Sequence, residues 1–174
     1  EMIRKASRAI LAFRPELVAE IMEHEYAVNE REVRIEEDCL KILALHQPVA
    51  VDLRRTATIM KINNDLERMA DLAVNIAERS QNLTGYPEFI VPRAFDHMAQ
   101  LTISMVQAAL NALVKLDVGA AREVCLCDDR VDDLNREVID DMRVVMRTQP
   151  ELIEAALNLF SASRHIERIA DHAT

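Results

Sequence analysis

Glycine occurs only twice in 174 residues, proline five times and tryptophan not at all. With so few chain breakers, and helix formers dominating the remainder, turns must be rare and elements long, which points to an all-α protein. Basic side chains are also short: 21 Lys and Arg face 30 Asp and Glu, for a net charge of -9. Four Phe and two Tyr are scattered along the chain. There is thus no basic, aromatic-bearing face for nucleic acid and no basic helix for a membrane surface. No apolar run approaches the roughly 18 residues needed to cross a bilayer, and no secretory signal is visible, so membrane insertion is not expected. Cys39, Cys125 and Cys127 are odd in number and lack CxxC spacing, as suits buried thiols of a cytoplasmic protein. The chain opens without Met and stops inside a helical pattern, as a fragment with terminal segments missing would.

The few breakers divide the chain cleanly. Pro15, Pro48, the stretch GYPEFIVP (85–92), Gly119 and Pro150 leave six helical segments at about 1–13, 15–45, 48–82, 93–116, 118–147 and 150–174. Pro15, Pro48 and Pro150 suit first-turn positions, where a helix loses nothing by lacking an N–H. GYPEFIVP is the one real linker, so two halves of three helices are expected, 1–86 and 87–174.

These halves are repeats. LERMADL at Leu66 answers to IERIADH at Ile166, HQPVAVDL at His46 to TQPELIEA at Thr148, and HEYAVNERE at His24 to CDDRVDDLN at Cys127, with offsets between 100 and 103 residues. Duplication of a three-helix unit, each too small to be very stable alone, predicts two pseudo-symmetric antiparallel bundles packed together.

Each doubled heptad carries a glutamate and an aspartate four apart, Glu67 with Asp71 and Glu167 with Asp171. Beside them in the third helix run Ile59, Ile62, Leu66, Met69, Ala73 and Ile76 at core spacing, so the carboxylates border the core. A second pair, Asp128 with Asp132, lies on the fifth helix, and Glu25 with Asn29 occupies the matching positions of the second. Helices joined by a tight QP turn run antiparallel. Glu25 and Asp71 lie equally far from Pro48, as do Asn29 and Glu67, while the second-half pairs centre between Gln149 and Pro150. Each half therefore gathers two acidic motifs at one height.

Such a gathering must be answered. Two carboxylates about 6 Å apart repel by roughly 3 kcal/mol at an effective dielectric near 20. Protonation, arginine or a metal cation could compensate. Arg68 and Arg168 adjoin each glutamate but point about 100° away, whereas Arg164, one turn before Glu167, can reach it. Clustered oxygen donors suit divalent or trivalent ions such as magnesium, manganese or iron, with zinc possible. A lone ExxxD on a helix usually marks a solvated face; its recurrence in both halves with a partner pair favours metal. Asn29 offers a neutral ligand or none, which predicts weaker binding in the first half. His24, His165 and His172 lie near the motifs in sequence but should point elsewhere, as outer-shell groups at most.

LERMADLAVNIAER and IERIADHAT, with QPVAVDLR before the first, resemble the PhoU family, the phosphate-specific transport system accessory proteins, across both halves. The resemblance implies two three-helix bundles and paired E(D)xxxD motifs that hold metal clusters in some members. The matching positions are Glu25, Asn29, Glu67, Asp71, Asp128, Asp132, Glu167 and Asp171, with Asn29 departing from the acidic pattern. It also implies a negative regulator of the phosphate starvation response, commonly a homodimer, linking the phosphate ABC transporter ATPase PstB to the sensor histidine kinase PhoR. Two other classes are compared. A ferritin-like carboxylate metalloprotein would need Glu-x-x-His, and neither Glu67 nor Glu167 has His three residues on. A purely structural helical scaffold predicts that the acidic pairs bind nothing. No paired nucleophile and base, glycine-rich phosphate loop or kinase signature indicates an enzyme, and so acidic a protein is not expected to sense phosphate unless a metal holds it.

Overall fold

The computed structural model describes all residues, 1–174. Six helices follow one another: α1 (Met2–Leu11), α2 (Leu17–His46), α3 (Ala50–Leu83), α4 (Arg93–Lys115), α5 (Val118–Thr148) and α6 (Ile153–Asp171), the last preceded by a 3-10 turn at Pro150–Leu152. There is no strand. In each half the second and third helices form a long hairpin on which the first helix packs. The expected all-α architecture of two three-helix units is what the chain adopts.

The halves meet through α3 and α6, with α1 also touching α4. Those two central helices run antiparallel. Asp65, midway along α3, meets His172 just past the end of α6 at 3.1 Å, and Asn82 near the end of α3 donates to Asn158 near the start of α6 at 3.0 Å. Alanines at 70, 73 and 77 of α3 and at 155, 156 and 162 of α6 are buried, and small side chains let helix axes approach. One cluster of 30 buried apolar residues, drawn from all six helices, makes the two bundles share a single core. The linker is anchored in it, since Phe89 is only 3% exposed.

Three local expectations are corrected. Pro15 and Pro48 stand before the first turns of α2 and α3, whose N-caps are Glu16 and Val49; only Pro150 begins a helical turn. Gln47 and Ala50 have positive φ, so the reversal occupies residues on both sides of Pro48, whose ring disfavours a helical residue before it. Gly119 breaks nothing: Leu116 ends α4 in the left-handed region, and the Asp117 carboxylate caps α5 by accepting from the Ala120 N–H at 3.0 Å. The apolar stripe of α3 is also only partly core. Met69, Ala73 and Ile76 are buried, but Ile59 is 50% exposed while its repeat counterpart Leu159 is 0% exposed. The cause is helix length: α4 extends over 23 residues along its hairpin, whereas α1 covers its own with ten.

Candidate functional site

The acidic motifs stand where the hairpin geometry requires. In the second half Glu167 and Asp171 of α6 approach Asp128 and Asp132 of α5, and Glu167 is influenced by all three. Its side chain is 15% exposed. Burial is the main cause that raises its carboxyl above the ordinary range, opposed by Arg164 and reinforced by the three aspartates. Asp128 is raised likewise, first by burial and then by Asp171 and Asp132. Arg164 donates to Glu167 Oε1 at 3.0 Å, as its one-turn spacing predicts, and Arg136 comes within 3.7 Å of Asp132. Glu167 Oε2 is buried without any hydrogen-bond partner. That atom can accept a hydrogen bond or bind a cation.

In the first half Glu67 of α3 lies near Asp71 and, across the hairpin, near Glu32 and Glu25 of α2; burial first and these neighbours next raise its carboxyl. Asn29 turns its amide nitrogen to Glu25 Oε1, which leaves Asn29 Oδ1 buried and unpartnered. Glu32 was not among the acidic positions read from the repeats, because its counterpart is Asn135 rather than an acid. Its spacing, seven residues after Glu25 on one helical column, was the available signal.

The histidines make their contacts with residues outside the paired acidic motifs. His24 meets Lys5 Nζ at 3.1 Å, and His172 meets Asp65. His165 lies 3.4 Å from Ser161, with burial and the nearby Arg79 lowering its affinity for a proton. No group of three or more His, Cys, Asp or Glu side chains converges closely enough to chelate one ion as the side chains stand. The donor set nevertheless fits a hard cation: every candidate is an oxygen ligand, and each half presents a buried oxygen lacking a proton donor.

Comparison with known proteins decides the family. The PhoU domain matches the chain twice, at residues 1–80 and 95–174. The chain belongs to the PhoU family. It is 34% identical over 171 residues to a phosphate-specific transport system accessory protein PhoU homolog of Deinococcus radiodurans, spanning 98% of this chain and 80% of that one. The crystal structure of PhoU from Pseudomonas aeruginosa superposes with a TM-score of 0.92 at 33% identity, covering 99% of this chain and 83% of that chain. The phosphate transport system regulatory protein PhoU from Streptococcus pneumoniae gives 0.91 at 27% identity, with 99% and 81% coverage. These PhoU relatives are named accessory or regulatory proteins, not enzymes. No helix of this chain is long and apolar enough to cross a membrane.

Proposed function

We propose that this PhoU-family chain is a cytoplasmic regulator of phosphate uptake that binds metal ions on its paired acidic motifs and holds the phosphate starvation response off when phosphate is plentiful. The near-complete match to proteins named for the phosphate-specific transport system carries the regulatory reading. On it, the partners are the phosphate transporter, through its ATPase PstB, and the sensor histidine kinase PhoR, and the working form is a homodimer.

The metal reading is supported by the orphan oxygens of Glu167 and Asn29 and by the raised proton affinity of Glu67, Asp128 and Glu167. Burial raises these carboxyls first and their acidic neighbours add to it, and positive charge bound among them would offset both. A bound ion of iron, manganese, zinc or magnesium supplies that charge. Glu67, Asp71 and Glu25 with Asn29 hold it in the first half, and Asp128, Asp132, Glu167 and Asp171 hold it in the second. Arg164 favours the competing scaffold reading, since it partly neutralises Glu167 without metal. Stripping the protein with a chelator and reloading it with each ion in equilibrium dialysis separates the two. The metal reading expects retained ion that falls when Glu67, Asp71, Glu167 and Asp171 are replaced by amides, and the scaffold reading expects none.

A further inference from the structure

The net charge of -9 argues against an anionic ligand for the chain as a whole, yet the charge is unevenly placed. Where α3 meets α6, two contacts fix the register of the seam between the halves: Asn82 donates to Asn158 at 3.0 Å, and Asp65 meets His172 at 3.1 Å. Arg79 lies three residues before Asn82 and Ser161 three after Asn158, so both stand one turn inward from the same contact. His165 and Arg168 continue that face of α6 toward His172, at spacings of four and three.

The groups gathered there are donors without acceptors. The Ser161 hydroxyl lies 3.4 Å from His165 Nε2. The other ring nitrogen, Nδ1, is buried with no hydrogen-bond partner, and so is Arg79 Nε. Arg79 and Arg168 are both near enough for their charges to act on the ring. Neither forms an ion pair, although Arg136, Arg143 and Arg164 all do. Asp65, at the far end of the seam, is taken up by His172. A guanidinium offers only donors and keeps its charge, and leaving a donor buried without an acceptor costs stability that an acceptor restores. With the Ser161 hydroxyl donating to Nε2, the neutral His165 ring carries its proton on Nδ1, a second donor in want of an acceptor. Donors arriving from two helices suit a tetrahedral anion, whose oxygens point in several directions, better than a flat carboxylate that one arginine can satisfy in its own plane. Asp65 takes the place of His165 in the first half, so duplication builds this arrangement only once.

We propose that Arg79, His165 and Arg168 form an anion site at the α3–α6 seam for a phosphate-class oxyanion, free or carried as a phosphoryl group on another molecule. The site uses none of the paired acidic positions and needs neither bound metal nor the regulatory reading. Arg79 and His165 are half-buried rather than enclosed, so a change of rotamer brings their donors to an anion at the surface, where Arg168 already is.

Isothermal titration calorimetry of the unmutated chain, stripped of metal on a chelating resin, tests the site with inorganic phosphate, acetate and a phosphoserine peptide. One phosphate per chain is expected, held at least about tenfold more tightly than acetate, which offers fewer acceptor oxygens. Arg79→Gln and Arg168→Gln should each weaken it at least about tenfold, the loss of one charge-assisted hydrogen bond. Arg79→Lys should recover little, because it keeps the charge and loses the fork. Arg143→Gln, which removes an exposed and paired arginine of α5, should change nothing. Because Arg168 is exposed, its variant decides the matter even if the Arg79 variants fail to fold. Free phosphate bound as tightly as the peptide makes the ion itself the ligand, and a peptide bound more tightly makes it a phosphoryl group on a protein; either upholds the site. Acetate bound as well as phosphate, unchanged affinity in Arg79→Gln and Arg168→Gln, or no binding at all overturns it. Phosphate that binds only after Mn2+ is added belongs to the acidic motifs, which overturns this site and leaves the metal reading standing.

Discussion

Glu167→Gln sets the two readings of the acidic face against each other. The amide keeps the shape of the side chain and removes one charge. In the metal-free protein that charge stands among Asp128, Asp132 and Asp171 with one oxygen buried and unpartnered. Each repulsion has an upper size of about 3 kcal/mol at 6 Å and an effective dielectric of 20, and leaving the oxygen unsatisfied costs about 1–3 kcal/mol. Solvent screens much of the repulsion, because Asp171 is exposed. Losing the ion pair to Arg164, itself 48% exposed, forfeits less than about 1 kcal/mol. The balance favours the variant by about 1 kcal/mol, which for a chain of this size raises Tm by about 2–4 °C. Metal should invert the order. An ion at a hundred times its Kd stabilises the unmutated protein by about 2.7 kcal/mol, and the variant should lose most of that gain. Differential scanning calorimetry with chelator and with Mn2+ reads both halves of the expectation. A metal-free variant that melts lower, with neither protein responding to metal, would refute it and make Glu167 a structural partner of Arg164.

Three further outcomes follow from the same geometry. Asn29→Asp exchanges a hydrogen-bond donor to Glu25 for a fifth negative group, so it should lower metal-free stability by about 1–3 kcal/mol and tighten metal binding in the first half, both read by calorimetry. Because Glu67, Asp128 and Glu167 hold protons more tightly folded than unfolded, their contribution to stability is full below the ordinary carboxylate value of about 4 and is lost as pH rises through their raised folded values. His165 works the other way, its depressed affinity removing stability as pH falls below about 6.5, so the metal-free His165→Gln variant should melt higher at about pH 5 than at neutral pH, and adding Glu67→Gln and Glu167→Gln should flatten that slope. Leu116→Gly should raise Tm by about 1–2 °C in thermal melts, because Leu116 is 74% exposed and held at φ 54, where glycine is free of the roughly 1 kcal/mol penalty less part of its chain entropy.

Helix number, the antiparallel hairpins and the height at which the acids meet were legible because each depends on local spacing. The distances of Glu25 and Asp71 from Pro48 needed only a tight turn to bring them together. What escaped depends on neighbours outside the local pattern. Leu116 shows no turn signature, yet it takes the left-handed position from which α5 starts, while Gly119, the obvious breaker, lies inside that helix. Ile59 has core spacing, but burial requires a helix above it, and α1 does not extend that far. Glu32 was hidden by the repeat itself, since comparison of halves finds what is duplicated and passes over an acid and an amide that trade places. The contacts of the histidines, Lys5, Ser161 and Asp65, come from other turns and other helices, which their position in sequence does not give.

Expression of phosphate-responsive genes in a strain lacking this chain, grown in abundant phosphate, tests the regulatory role most directly. The account predicts that those genes stay on in the deletion strain and are silenced again when the intact chain is restored, but not when the restored chain carries Glu67→Gln, Asp71→Asn, Glu167→Gln and Asp171→Asn while retaining its helical circular dichroism. Normal silencing in the deletion strain would contradict the assigned function, and full silencing by the four-fold variant would contradict the part given to the acidic motifs.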